Sequence, residues 1–282
     1  MTEPQRLSTA GASAVIHRDA PPLDNRRTAA IGEIAFDDTQ SGARLLADIC
    51  ATLSAEGFGA LIGPMDGDTW HKYRLVSESD GSRPFLLEPQ SGPHDFAAFT
   101  TAGFAPISTY VSSRAQLADT IDAEPFSLPG VTITAWDGED AERLIGQLFR
   151  MSGSAFAGNR FFKPITLEAF LDLYRPVLPL LDPRHILFAH GPERQLVGFL
   201  FGMPDHLAAG GKPAAILKTY ASGLRGVGRL LADSYHRRAI ELGFTEVVHA
   251  LMHVDNVSRE RSALHQAQVF RRYALMGRRL DR

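Results

Sequence analysis

The sequence predicts an α/β protein, a mixed sheet with helices on both faces. Three observations carry this. First, residues 215–221 read as a strand and Gly223-Leu224-Arg225-Gly226-Val227-Gly228 as a tight turn. Apolar residues then recur at Val227, Leu230, Leu231, Tyr235, Ala239 and Leu242, the period of a half-buried helix, before a second strand at 246–253. Second, Arg44-Leu45-Leu46-Ala47-Asp48 is identical to Arg229-Leu230-Leu231-Ala232-Asp233 at an offset of 185, and Gly57-Phe58 answers Gly243-Phe244. The first half therefore reads as a degenerate copy of the second. Third, 184–190 and 195–203 flank Gly191-Pro192-Glu193-Arg194 as the arms of a hairpin.

In chain order, residues 1–28 hold four arginines and no long apolar run, and are expected to be a flexible tail. Residues 29–115 form the degenerate half. Within it, 28–36 is a strand, 40–56 a helix stopped by Gly57, 60–62 and 85–87 short strands, 94–102 a helix stopped by Gly103, and 107–111 a strand. Residues 116–129 lack periodicity, contain Pro125 and Pro129, and read as a linker. Residues 130–282 form the complete domain. It opens with a strand at 131–136, a helix from Asp140 and a second helix capped by Thr166.

The chain has 282 residues, 44% of them hydrophobic and 22% charged, with a net charge of −3. That is the composition of a globular protein. It gives no reason to expect nucleic acid or an anionic membrane surface as partner. Cys50 is the only cysteine, which rules out an internal disulfide and a cysteine-based zinc site and fits a cytoplasmic location. No stretch approaches the roughly 20 apolar residues of a membrane span.

The glycine turn is suited to an anion. Gly226 and Gly228 lack Cβ atoms, the first N–H groups of the following helix are free, and the helix dipole favours negative charge. The order strand, glycine turn, long helix, strand, Asn256-led helix and strand resembles the GCN5-related N-acetyltransferase (GNAT) family across residues 130–282. The resemblance implies that acetyl-coenzyme A is the co-substrate and that its pyrophosphate sits on Arg225, Gly226, Val227, Gly228 and Arg229. It further implies that Tyr220 and Ala221 offer backbone N–H groups to the acyl carbonyl and pantetheine arm, and that Asn256 contacts the arm. Gly223 stands where the family has Gln or Arg, and Ala263 lies in the region where it often has an acid tyrosine. The equivalent positions of the first half are Ser41 and Ala43, each with a Cβ. One coenzyme per chain is therefore expected, bound by the second half.

Transfer of an acyl group from a thioester to an amine needs an oriented carbonyl, a base and an exit for the thiolate. His253, at the end of a strand beside Asp255 and Asn256, is the candidate catalytic base. His249, four residues earlier, is expected on the same face. The two suggest a metal pair, but no third ligand is evident, so no metal is expected. Trp70 and His71 are candidates for an acceptor pocket or for domain-interface core, and Asp66 and Asp68 for binding a cationic amine. Arg271, Arg272, Arg278 and Arg279 read as a basic cluster, either on a solvated face or near the coenzyme's phosphates. The expected activity is acyl transfer to a small-molecule amine by a monomer or homodimer. A non-catalytic acyl-coenzyme-A-binding module and a purely structural scaffold are the alternatives.

Overall fold

The structure, a computed structural model, describes residues 3–207 and 214–280. Among the described residues twelve strands form one sheet: β1 Gln5–Thr9, β2 Ala12–His17, β3 Thr28–Phe36, β4 Ala60–Gly63, β5 Leu75–Ser79, β6 Ala105–Gln116, β7 Thr132–Ala135, β8 Ile186–His190, β9 Leu196–Asp205, β10 Ala214–Ser222, β11 Glu246–His253 and β12 Gln268–Arg279. The helices are α1 Thr39–Ala55, α2 Asp95–Thr101, α3 Ala141–Phe156, α4 Leu167–Tyr174, α5 Val227–Glu241 and α6 Val257–Leu264. The strand order is β1-β2-β3-β4-β12-β6-β11-β10-β9-β8-β7, with β5 attached to β12.

The sheet carries the predicted repeat. β3 runs parallel to β4 from Thr28 opposite Ala60, and β10 parallel to β11 from Ala214 opposite Glu246. Both α1 and α5 end in the same hydrogen-bonded loop. Phe58 N–H donates to Leu53 O at 2.9 Å and Phe244 N–H to Ala239 O at 2.9 Å. Gly57 and Gly243 take φ of +80° and +89° there, a conformation that favours glycine. The copies are not side by side, however. Each gives its last strand to the other: β12 lies against β4 of the first half, and β6 against β11 of the second. β6 and β12 pair with each other at the centre.

Apolar side chains sort to the faces as the patterning predicts. α3 and α4 cover one face through Leu144, Ile145, Leu148 and Phe170, packed on Phe199, Phe201 and Ile216. α5 covers the other through Val227, Leu231 and Tyr235, packed on Leu200, Leu217 and Val247. α1 buries Leu46, Ile49 and Leu53 with α2's Phe99.

Three expectations are corrected. The described part of the expected 1–28 tail, residues 3–28, is not a tail: β1 and β2 pair antiparallel and extend the sheet from β3, and Ala14 and Ile16 are fully buried. The alternation of Ala12, Ala14 and Ile16 inward is the signal that the arginine count obscured. Residues 85–87 are a turn. The Glu88 carboxylate accepts the Phe85 N–H, and Phe85 buries its ring without pairing its backbone in a ladder. The arginines of β12 are not a cluster on a solvated face. Arg271 is buried and paired with Glu88, Arg272 pairs with Glu78, Arg278 donates to Ala102 O and Arg279 pairs with Asp24.

Candidate active site

The site begins where two parallel strands part. β10 and β11 pair only from Ala214–Leu217 to Glu246–His249. β10 then continues to Ser222 along β9, and β11 to His253 along β6. Each strand contains a bulge at the parting. Lys218 is the extra residue between Leu217 and Thr219. On β11, three residues from His249 to Met252 span two of β6, with Leu251 at φ +56°. A cavity of 2330 Å³ runs through this gap in the sheet. One side is lined by Tyr220, Arg229, His236 and Arg261 of α5, α6 and β10, and the other by Arg74, Tyr110, Lys218 and His253.

The bulge overturns the expectation that His249 and His253 share a face. His249 lies opposite Ser113 and His253 opposite Tyr110, three positions apart on β6, so the side chains point to opposite faces. His249 is buried toward α5 and α6, where Nε2 meets His236 Nε2 at 3.0 Å and Nδ1 meets Ser262 Oγ at 2.7 Å. Burial pushes His249 down to about 4, and lowers His236 as well, so both are neutral at pH 7. His253 faces the cavity on the other side. Its Nδ1 accepts from Asp255 N–H at 3.2 Å, which assigns the proton to Nε2, 3.1 Å from Ser108 Oγ. Its Nε2–H is thus a hydrogen-bond donor, and no free ring lone pair faces the cavity to act as a base.

Lys218 is the residue the sequence reading missed. Its Nζ donates to Leu87 O at 2.8 Å, and burial, with Arg74 nearby, pushes it down to about 7. It is the amine in the cavity best matched to a base at neutral pH. Only the bulge turns it into the cavity, and a bulge has no sequence signature here.

The other predicted residues fall as follows. Gly226 takes φ +88°, and α5 starts there without a side-chain cap. A Cβ on Gly228 would meet the Tyr220 ring at 2.9 Å and Arg261 Nη1 at 3.3 Å. So a cation, unforeseen from the sequence, stands beside the uncapped helix end, with Arg229 in the same cavity lining. Tyr220, Ala221 and Asn256 also line the cavity, while Arg225 is exposed, Val227 is core, and neither Gly226 nor Gly228 is part of the lining. Trp70 both lines the cavity and joins the halves: its ring packs edge-on against Phe170 and its Nε1 donates to Lys163 O. Asp66 lines the cavity and accepts the Glu33 N–H of β3, while Asp68 accepts from Trp70 N–H and His71 N–H within its own loop. Among the described residues no cluster of three metal-ligating side chains occurs, and no helix is long and apolar enough to cross a membrane.

No protein-family model matches the sequence, and no curated protein matches it either. Solved structures do match the fold. One is a tandem GNAT protein from the clavulanic acid biosynthesis pathway, at TM-score 0.54 and 14% identity, aligned over 96% of this chain and 80% of that one. A GCN5-related N-acetyltransferase from Sphaerobacter thermophilus matches at TM-score 0.54 and 14% identity, over 96% and 78%. Eis1 from Mycobacterium abscessus matches at TM-score 0.51 and 11% identity, over 96% and 62%. The parted parallel strands and the glycine turn thus belong to the GNAT fold. The particular form is a tandem one, in which the two halves trade their last strands.

Proposed function

We propose that this protein is an acyl-coenzyme-A-dependent N-acyltransferase, moving acetyl from acetyl-coenzyme A to a small-molecule amine. The observation that carries the reading is the gap between β10 and β11 with a cavity through it. A thread-like donor can lie on the α5–α6 side and an acceptor on the other. The residues fit a diphosphate-bearing coenzyme. The end of α5 is uncapped, Gly228 lacks a Cβ, and Arg229 and Arg261 supply positive charge. The coenzyme supplies the activated acyl group as a thioester. Past Leu217, β10 has no strand partner on its β11 side among the described residues, which supports a role for its backbone near Tyr220 and Ala221 in orienting that group. Lys218, with about half of its amine neutral at pH 7, takes a proton from the acceptor ammonium. The departing sulfur takes the second proton that the amine sheds as the amide forms, while His253 Nε2–H donates to Ser108 Oγ and fixes it in the acceptor-side wall.

Calorimetry with coenzyme A should saturate at one equivalent per chain, and free thiol should appear from acetyl-coenzyme A only when a suitable amine is added. Lys218→Met should then cut turnover by roughly 10²–10⁴-fold and leave coenzyme affinity near wild type. Two equivalents would place a site in the first half. Absence of binding would remove the reading.

A further inference from the structure

Arg74 is a buried arginine with no carboxylate partner among the described residues. It is 9% exposed, and its guanidinium lies between the rings of Tyr73 and Tyr110, 3.8 Å and 3.9 Å from their centroids. Nε and Nη1 are buried with no hydrogen-bond acceptor among the described residues. The nearby carboxylate is committed elsewhere: Glu88 accepts from Arg271, Tyr273 and Phe85 N–H. Burial pushes Arg74 down to about 10, so it remains a cation at pH 7. Its backbone sits at φ +70°, uncommon for a side chain with a Cβ, and Arg74 N–H donates to Pro64 O at 2.9 Å. The chain thus holds a strained backbone to place an unpaired charge in the cavity wall, beside Lys218 and on the same face as His253.

A buried, unpaired cation destabilises a fold unless something supplies the counter-charge. Ring faces on both sides stabilise it in part and fix its plane, but they satisfy no N–H. A planar guanidinium is shaped for carboxylate or phosphate oxygens. We propose that the amine acceptor carries an anionic group, a carboxylate or a phosphate, which Arg74 receives on the acceptor side of the cavity while the amine faces Lys218. This rests on the acyltransferase reading above. It replaces the expectation that acidic loop residues would bind a cationic amine.

The test is thiol release from acetyl-coenzyme A with four acceptor sets: L-amino acids, the matching amino acid carboxamides, aminoalkyl phosphates such as phosphoethanolamine, and uncharged or polycationic amines. The first or third set should be preferred, and which of the two is preferred names the source of the anion. Arg74→Met should raise the acceptor KM roughly 10–100-fold, the loss of one charge-assisted hydrogen bond. The same variant without ligand should melt higher than wild type, because an unpaired buried charge has been removed. A structural arginine would lower the melting point and leave KM unchanged, and that result would overturn the proposal. So would a preference for carboxamides or polyamines. If no amine is turned over, thermal shift decides: carboxylic acids must stabilise wild type more than their amides and must lose that advantage in Arg74→Met. Calorimetry with coenzyme A, run alongside, reports separately on the acyltransferase reading.

Discussion

The two halves begin their long helices differently, and the difference separates scaffold from site. α5 starts at Gly226 with no side chain on its N–H groups. α1 starts at Asp38, most of a turn further back than the repeat alone predicts, and the Asp38 carboxylate accepts from Gln40 N and Ser41 N. The first half thus carries its own anion where the second leaves room for one. The parted strands differ in the same way. After β4 the chain bonds back to β3, with Met65 N–H donating to Ile31 O at 2.7 Å and Glu33 N–H to Asp66 Oδ1 at 2.8 Å. Met65 is fully buried there. Among the described residues no such bond from the chain after β11 back to β10 occurs. The positions beside each turn differ as well. Gly42, the counterpart of core Val227, is packed so tightly that a Cβ would strike the buried Phe36 ring at 2.7 Å, whereas a Cβ on Gly228, the counterpart of Ala43, would meet Tyr220 and the Arg261 cation. One copy is zipped and capped by its own residues; the other is open and lined with charge.

The sharpest way to break this comparison is to separate the copies. The sequence places a domain boundary at 116–129, and a fragment of residues 130–282 is expected from the sequence to keep the coenzyme site. The strand exchange argues otherwise. That fragment lacks β6, which pairs with both β11 and β12 and contributes Ser113 to the buried Ser262–His249–His236 chain. The fragment should show no cooperative thermal transition by circular dichroism and no coenzyme binding. A folded fragment that binds coenzyme A would mean the exchange is ornamental.

Next in size is Gly228→Glu. A carboxylate at the open helix end would imitate what Asp38 does in the first half. Calorimetry should find no coenzyme binding, while the far-ultraviolet circular dichroism stays native. Binding at the wild-type level would show that the turn is only a turn.

Much of this was legible in the sequence. The repeat, the glycine turn and the order of the second half follow from periodicity and turn residues that act locally. Arg74, Lys218 and the separation of His249 from His253 do not. Each depends on a bulge or a positive φ, or on a partner more than 100 residues away, and a one-residue bulge inverts every later side chain on its strand. The hairpin β1–β2 was hidden for a different reason: it is short, and its inward residues are mostly alanine.

A smaller effect should come from acid. His185, like His249, is pushed by burial to about 4, and His236 is lowered too. Between pH 6.5 and 4 the unfolded chain takes up protons that the folded one refuses, so stability rises with pH across that window and is lost as pH falls. The loss is at most about 3 kcal/mol for a group shifted this far. His249→Gln should flatten the melting temperature measured against pH between 6.5 and 4. An unchanged slope would mean that the pair does not titrate on unfolding.

The smallest effect is the most direct test of how the first half was silenced. Asp38→Ala removes the carboxylate from α1 and exposes the N–H groups of Gln40 and Ser41. Losing one cap should lower the melting point by roughly 2–4 °C in a chain of this size. The hydrogen bond from Ser41 N–H holds the Asp38 carboxyl below its usual range, so its contribution is present at neutral pH and lost only as pH falls through that lowered value. The variant should not gain a second coenzyme site, because Phe36 and Ala98 still pack on Gly42 and the bond from Met65 still closes the strands. Asp38 therefore acts as a stabiliser of a half that packing has already closed. If titration of Asp38→Ala with coenzyme A instead saturated at two equivalents, the carboxylate alone would be what separates the two copies, and the zipped strands would count for nothing.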